Sequence, residues 1–139
     1  MGDLKGQRVV VIGGTSGIGF AVAQAARAAD AAVSVGSSGP ERVATAVERL
    51  GEGADGCAID VTDDSSVEAF FRVGGPIDHL VFTAGDWGQA RTRQTVAELD
   101  LDAVGAVSNV RFLGALRVLK YAAASLTDDA SITLTNGAI

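Results

Sequence analysis

The stretch Val9-Val10-Val11-Ile12-Gly13-Gly14-Thr15-Ser16-Gly17-Ile18-Gly19-Phe20 constrains this chain more than any other. Four consecutive apolar residues, three of them Val, predict a strand buried on both faces, as in a parallel sheet. A glycine-rich turn follows at once, and Ala21, Val22, Ala23, Ala25 and Ala26 then predict a helix. Strand, glycine turn and helix, in that order, form the context in which such a motif binds a dinucleotide. Gly13 lets the chain leave the strand sharply. Gly17 lacks a Cβ, so a pyrophosphate can approach the backbone, and Gly19 lets the helix pack close to the strand. The N–H groups at the helix start, with the helix dipole behind them, complete a phosphate site in which Thr15, Ser16 and Ile18 share the loop. The spacing is Gly13-x3-Gly17-x-Gly19 rather than the commoner G-x-G-x-x-G.

The remaining chain alternates. Strands are expected at 8–12, 31–35, 55–61, 77–83 and 131–135. Helices are expected at about 17–29, 40–50, 65–73 and 102–126, with a short one possible over 96–99. Pro40 suits a first helical position, and Val43, Ala46, Val47 and Leu50 recur at helical spacing behind it. Thr62 to Ser65 offer N-caps for the third helix, which turns Val67, Phe70 and Phe71 inward. Gly74-Gly75-Pro76 and Thr127-Asp128-Asp129 read as turns. Strands alternating with helices predict an α/β, Rossmann-like, doubly wound parallel sheet. Right-handed crossovers place its five strands in the order 3-2-1-4-5.

At 139 residues, 47% of them hydrophobic, the chain is expected to form one domain over 1–139 with a sizeable core. Eleven basic against seventeen acidic residues leave a net charge of −6, which argues against a nucleic-acid or anionic-membrane surface. A helix N-terminus still accepts phosphate on such a chain. The lone Cys57 has no partner for an internal disulfide, so a cytoplasmic location is expected, with Cys57 a small core residue in the third strand. No apolar run reaches the length of a membrane span. His79, within the fourth strand, reads as a core histidine with satisfied hydrogen bonds, and no cluster has metal-ligand spacing.

Gly13-Gly14-Thr15-Ser16-Gly17-Ile18-Gly19 resembles the cofactor loop of the short-chain dehydrogenase/reductase family, and the resemblance continues in register along the chain. It implies binding of NAD(P) and oxidation or reduction of a carbonyl or alcohol. Asp60-Val61 is similar to the family's adenine-binding pair: the Asp60 carboxylate would accept from the adenine amino group and the Val61 N–H would donate to the ring. The other reading of Asp60 is a residue capping the approach to the next helix. Phe82-Thr83-Ala84-Gly85 is similar to the family's Asn-Asn-Ala-Gly, with both asparagines replaced and the small Ala84-Gly85 pair leaving room for a ribose. At the end of the second strand, Gly36-Ser37-Ser38-Gly39 holds no carboxylate to take ribose hydroxyls. Ser37 and Ser38, with Arg42 or Arg8 in reach, favour NADP(H) over NAD(H).

The family's catalytic Tyr, Lys, Ser and Asn have no counterparts here. Arg111 stands at the Asn position and Gly137, after Asn136, at the Ser position; the Tyr-x-x-x-Lys helix would lie beyond Ile139. Tyr121 has Ser125, not Lys, four residues on. No residue is therefore assigned as catalytic. These departures also resemble a divergent bacterial branch of the family. Trp87, in an irregular stretch over 84–95, either covers a ligand or caps the core edge. The full family fold continues with two more helices and two more strands, so the sheet is expected to be incomplete relative to that fold: either a second copy covers helix 102–126 or the fifth-strand edge, as a homo-oligomer, or these residues are part of a longer protein. Two other functions stay open: a catalytically silent dinucleotide-binding or sensing module, and a structural half-fold that self-assembles.

Overall fold

The computed structural model describes residues 3–85 and 94–135. Trp87, Asn136 and Gly137 lie outside the described residues. The first β-strand, β1, spans Arg8–Ile12 and leads through the glycine turn into α1, Gly17–Ala28. There follow β2 (Ala32–Ser37), α2 (Pro40–Leu50), β3 (Ala54–Ala58), α3 (Asp64–Arg72) and β4 (Ile77–Phe82). A single 3-10 turn over Val96–Glu98 precedes α4 (Leu101–Ser108), a π-helical segment Asn109–Leu113, α5 (Gly114–Ala122) and β5 (Leu126–Leu134). The sheet is parallel throughout, in the order β3-β2-β1-β4-β5 that the alternation and right-handed crossovers require.

The pleat of β1 divides the core in two. Val9 and Val11 point to one face, where Phe20, Ala23 and Ala26 of α1 and Val43 and Ala46 of α2 cover them. Val10 and Ile12 point to the other, against Val67, Phe70 and Phe71 of α3 and Ala115, Val118 and Ala122 of α5. All four β1 residues are at most 3% exposed, so the unbroken apolar run is the signature of a strand covered on both sides. Burying each such side chain contributes about 1.5–3 kcal/mol. Asp63 caps α3 by accepting from the Ser65 N–H, and Asp100 caps α4 by accepting from the Asp102 and Ala103 N–H groups.

Three expectations change. The helix expected over 102–126 is interrupted by the π turn and ends in a 3-10 turn, Ala123–Ser125, because β5 begins five residues early at Leu126. Thr127-Asp128-Asp129 does not separate helix from strand; it sits in an irregularity of β5. There β4 advances two positions, from Ile77 to His79, while β5 advances five, from Leu126 to Ser131. The turn-forming residues are thus expelled from the ladder without ending the strand. Cys57 is exposed rather than in the core, because β3 is the outermost strand and four of its five residues face solvent. His79 has both ring nitrogens partnered as expected, Nδ1 2.7 Å from Ser131 Oγ and Nε2 2.7 Å from Gln7 Oε1, but it is half-buried rather than in the core. Among the described residues, no helix is long and apolar enough to cross a membrane.

Leu80, fully buried at the centre of β4, tests the core. Leu80→Ala is expected to cost about 2–5 kcal/mol, read as a lower denaturant midpoint at unchanged slope.

Candidate functional site

At the carboxyl ends of the strands, β1 passes between β2 and β4. The Gly13 N–H donates to the Gly36 carbonyl (2.7 Å), and the Thr83 N–H donates to the Ile12 carbonyl (2.8 Å). Connections leave β1 in opposite directions on its two sides, and this topological switch opens a cleft in which such sheets bind ligands. Its volume is about 980 Å³. Gly13, Thr15, Ser16, Gly17, Ile18, Gly19, Ser37, Ser38, Asp60, Val61, Ala84 and Gly85 all line it. So do Ile12, Arg42, Ile59, Thr62, Thr83, Val110, Arg111 and Thr135.

The glycine turn works through two geometries. Gly13 has φ +91°, and a Cβ there would stand 2.6 Å from both the Ala84 nitrogen and Thr83 Oγ1. A Cβ on Gly19 would collide with the Gly13 carbonyl and Thr83 Oγ1. These two positions let α1, β1 and the end of β4 close on one another. Gly17 differs: its φ is +53°, yet a Cβ there would meet open space. The first helical bond of α1 runs from the Phe20 N–H to the Ser16 carbonyl, so the N–H groups of Gly17, Ile18 and Gly19 precede the helix ladder. Ser16 makes no side-chain cap and the first turn carries no acidic residue. The positive end of the helix dipole therefore faces the cleft without a competing carboxylate. Ile18, 68% exposed, adds an apolar surface at the cleft mouth.

At the end of β2, Arg42 Nη2 donates to Ser38 Oγ (3.2 Å), joining the first turn of α2 to the strand end. Arg8 does not reach this place. It lies at the opposite end of the sheet, donating from Nη2 to Ser34 Oγ (3.0 Å) and from Nη1 to the Gly75 carbonyl (2.9 Å). Asp60 uses one carboxylate oxygen locally: its Oδ1 accepts from the Thr62 N–H (2.9 Å) and Thr62 Oγ1 (2.7 Å). These bonds, with the Arg117 charge nearby, hold the carboxyl below the ordinary Asp range. Helix capping falls instead to Asp63. Thr62, expected only as an N-cap candidate, belongs to this loop instead, and the Asp60-x-Thr62 spacing of an Asx turn is the signal that would have found it.

The inner end of the cleft is built by Thr83, Ala84, Gly85 and Arg111. Where the family carries asparagine, Thr83 Oγ1 lies 3.3 Å from the Ile12 carbonyl and 3.2 Å from the Gly13 carbonyl, and ties β4 to the end of β1. Arg111 leans in from the π segment and donates from Nη2 to the Gly85 carbonyl (3.1 Å). Tyr121 lies elsewhere: its OH donates to Asp64 Oδ2 (2.8 Å). That bond raises the phenol's pKa, the opposite of what an acid/base catalyst needs near neutral pH. Among the described residues no group of three His, Cys, Asp or Glu could hold a metal ion.

These features define a Rossmann-type domain whose ligand cleft lies at the switch point. Residues 2–139 match the model of the SDR-like Rossmann domain, and the chain belongs to the short-chain dehydrogenase/reductase family. A short-chain dehydrogenase/reductase from Gibberella fujikuroi is 35% identical over 150 residues, covering 95% of this chain and 54% of the relative. One from an Acremonium species is 37% identical, covering 96% and 57%. A solved structure of an NADPH-bound short-chain oxidoreductase from Pseudomonas aeruginosa, described as having an atypical catalytic center, superposes with a TM-score of 0.84 at 29% identity, covering 95% of this chain and 54% of that one. The chain spans about half the length of the curated relatives it matches.

Asp60 gives a pH test. Its folded pKa lies below the unfolded value of about 3.9, so the Thr62 bonds stabilise above that value and are lost as pH falls through the folded pKa. Carboxyl carbon NMR is expected to place the Asp60 midpoint below about 3.9, and Asp60→Asn to flatten the acid limb of the stability curve slightly.

Proposed function

We propose that the cleft binds a nicotinamide dinucleotide and that residues 1–139 act as one cofactor-binding domain of a short-chain oxidoreductase. The observation that carries this reading is Gly17. It holds a left-handed conformation at the head of α1 and has open space where a side chain would stand, beside N–H groups ahead of the helix ladder. Backbone from Gly13 to Gly19 would receive the pyrophosphate. Asp60 and Val61 would take the adenine, and the Ala84-Gly85 pair would leave the ribose its passage. When bound, the cofactor supplies hydride exchange with a carbonyl or alcohol carbon.

NADP(H) is favoured over NAD(H). Ser37, Ser38 and Arg42 line the cleft at the end of β2, with a guanidinium and hydroxyls where an NAD-selective site places a carboxylate. The related oxidoreductase from Pseudomonas aeruginosa was solved with NADPH, which supports the same choice. Its atypical catalytic center also supports an enzymatic role for a chain that departs from the usual residues. A second reading, a silent cofactor-binding module, is favoured by one observation: no Tyr or Lys lines the cleft among the described residues. Homo-oligomerisation is supported by Phe112, Leu113 and Leu116 on the helix and Ile132 and Leu134 on β5, all exposed.

Fluorescence titration with NADPH and NADH tests the binding, and NADPH consumption against a carbonyl panel separates enzyme from silent module. NADPH is expected to bind more tightly. Gly17→Val is expected to abolish binding while the fold persists; unchanged affinity would remove the assignment. Arg42→Ala is expected to weaken NADPH about tenfold, the scale of one charge-assisted hydrogen bond, and to leave NADH within error.

A further inference from the structure

A side-chain network on α5 grips the outside of the cleft wall. Arg117 Nε donates to Asp64 Oδ1 (2.9 Å), and Nη1 donates to Asn109 Oδ1 (3.0 Å) and to the Val61 carbonyl (3.4 Å). Three residues earlier on the same helical face, Gly114 meets Val61 so closely that a Cβ would stand 2.9 Å from Val61 Cγ2. The segment so held lines the cleft with Asp60, Val61 and Thr62.

One peptide plane carries the consequence. The Val61 carbonyl and the Thr62 N–H belong to the same rigid unit. Arg117 binds its oxygen end, and its nitrogen end donates to Asp60 Oδ1 at 2.9 Å. The guanidinium, 22% exposed at the side chain, thus fixes from outside the plane that orients the Asp60 carboxylate inside. We infer that Arg117 is a positioning residue for base recognition: through the Val61–Thr62 peptide it aims the Asp60 carboxylate at the exocyclic amino group of a purine. Oδ1 is committed to Thr62, and Oδ2 is the oxygen assigned to the amine. This inference rests on the cleft being a dinucleotide site.

The test compares NADPH with its hypoxanthine analogue, in which a carbonyl oxygen replaces the adenine amino group. Affinities are measured for the wild-type chain and for Arg117→Met, which keeps an apolar stem in place. Wild type is expected to prefer NADPH about tenfold, the scale of one hydrogen bond to a charged group. Arg117→Met is expected to bind both dinucleotides with nearly equal affinity. General loosening of the fold would weaken both by the same factor and leave the ratio at its wild-type value. That result, or a wild type that does not distinguish the two, overturns the inference while the dinucleotide site stands. A wild type that binds neither overturns the site reading and the inference with it. Should Arg117→Met fail to fold, Arg117→Lys is measured instead with the same expectation, because an ammonium cannot span Asp64, Asn109 and the Val61 carbonyl as the planar fork does.

Discussion

Gly13 and Gly19 bring the end of β1, the start of α1 and the Thr83–Ala84 backbone together within the space of one methyl group. The rest of the site depends on that approach. It allows the Thr83 hydroxyl to reach the Ile12 and Gly13 carbonyls, which fixes β4 against β1 where their connections diverge. It also seats α1 so that its first N–H groups open on the cleft rather than on the sheet. A β-carbon at either position would push the helix outward and separate the strand ends, and the pocket would lose its floor.

The opposite wall is maintained from α5 and the π segment before it. Arg111 holds the Gly85 carbonyl at the inner end, and Arg117 holds the Val61 carbonyl at the far side. The same stretch contributes Ala115, Val118 and Ala122 to the core beneath. The π segment carries Arg111 into the cleft lining, and six residues on Arg117 holds the cleft wall from outside.

Much of this was legible in the sequence, for definite reasons. The apolar run of β1, ended at once by the glycine turn, reads as a strand covered on both faces, and that, with the alternation behind it, gives the strand order. The glycine spacing marks the turn because Gly13 and Gly19 leave no room for a Cβ, while Gly17 takes a positive φ with open space beside it. What could not be read depends on neighbours distant in sequence. Cys57 looked like a core residue until β3 proved to be an edge, and edge status belongs to the sheet rather than to the segment. Arg8 and Arg42 carry identical side chains, and only the fold shows that one lies at each end of the strands. Arg117 gave no signal, since its acceptors are a carboxylate 53 positions away, a carbonyl 56 positions away and a side chain from an interrupted helix.

The irregularity in β5 has its own consequence. Beyond it, register with β4 is set by the Ser131–His79 pair and not by the point where α5 hands over to the strand. The extra residues between Leu126 and Ser131 act as slack in the connection. A residue gained or lost at the end of α5 can be absorbed there, and Thr135 still arrives at the cleft, its Oγ1 on the Phe82 carbonyl. The cleft is thereby insulated from length variation in the helix that precedes its last strand.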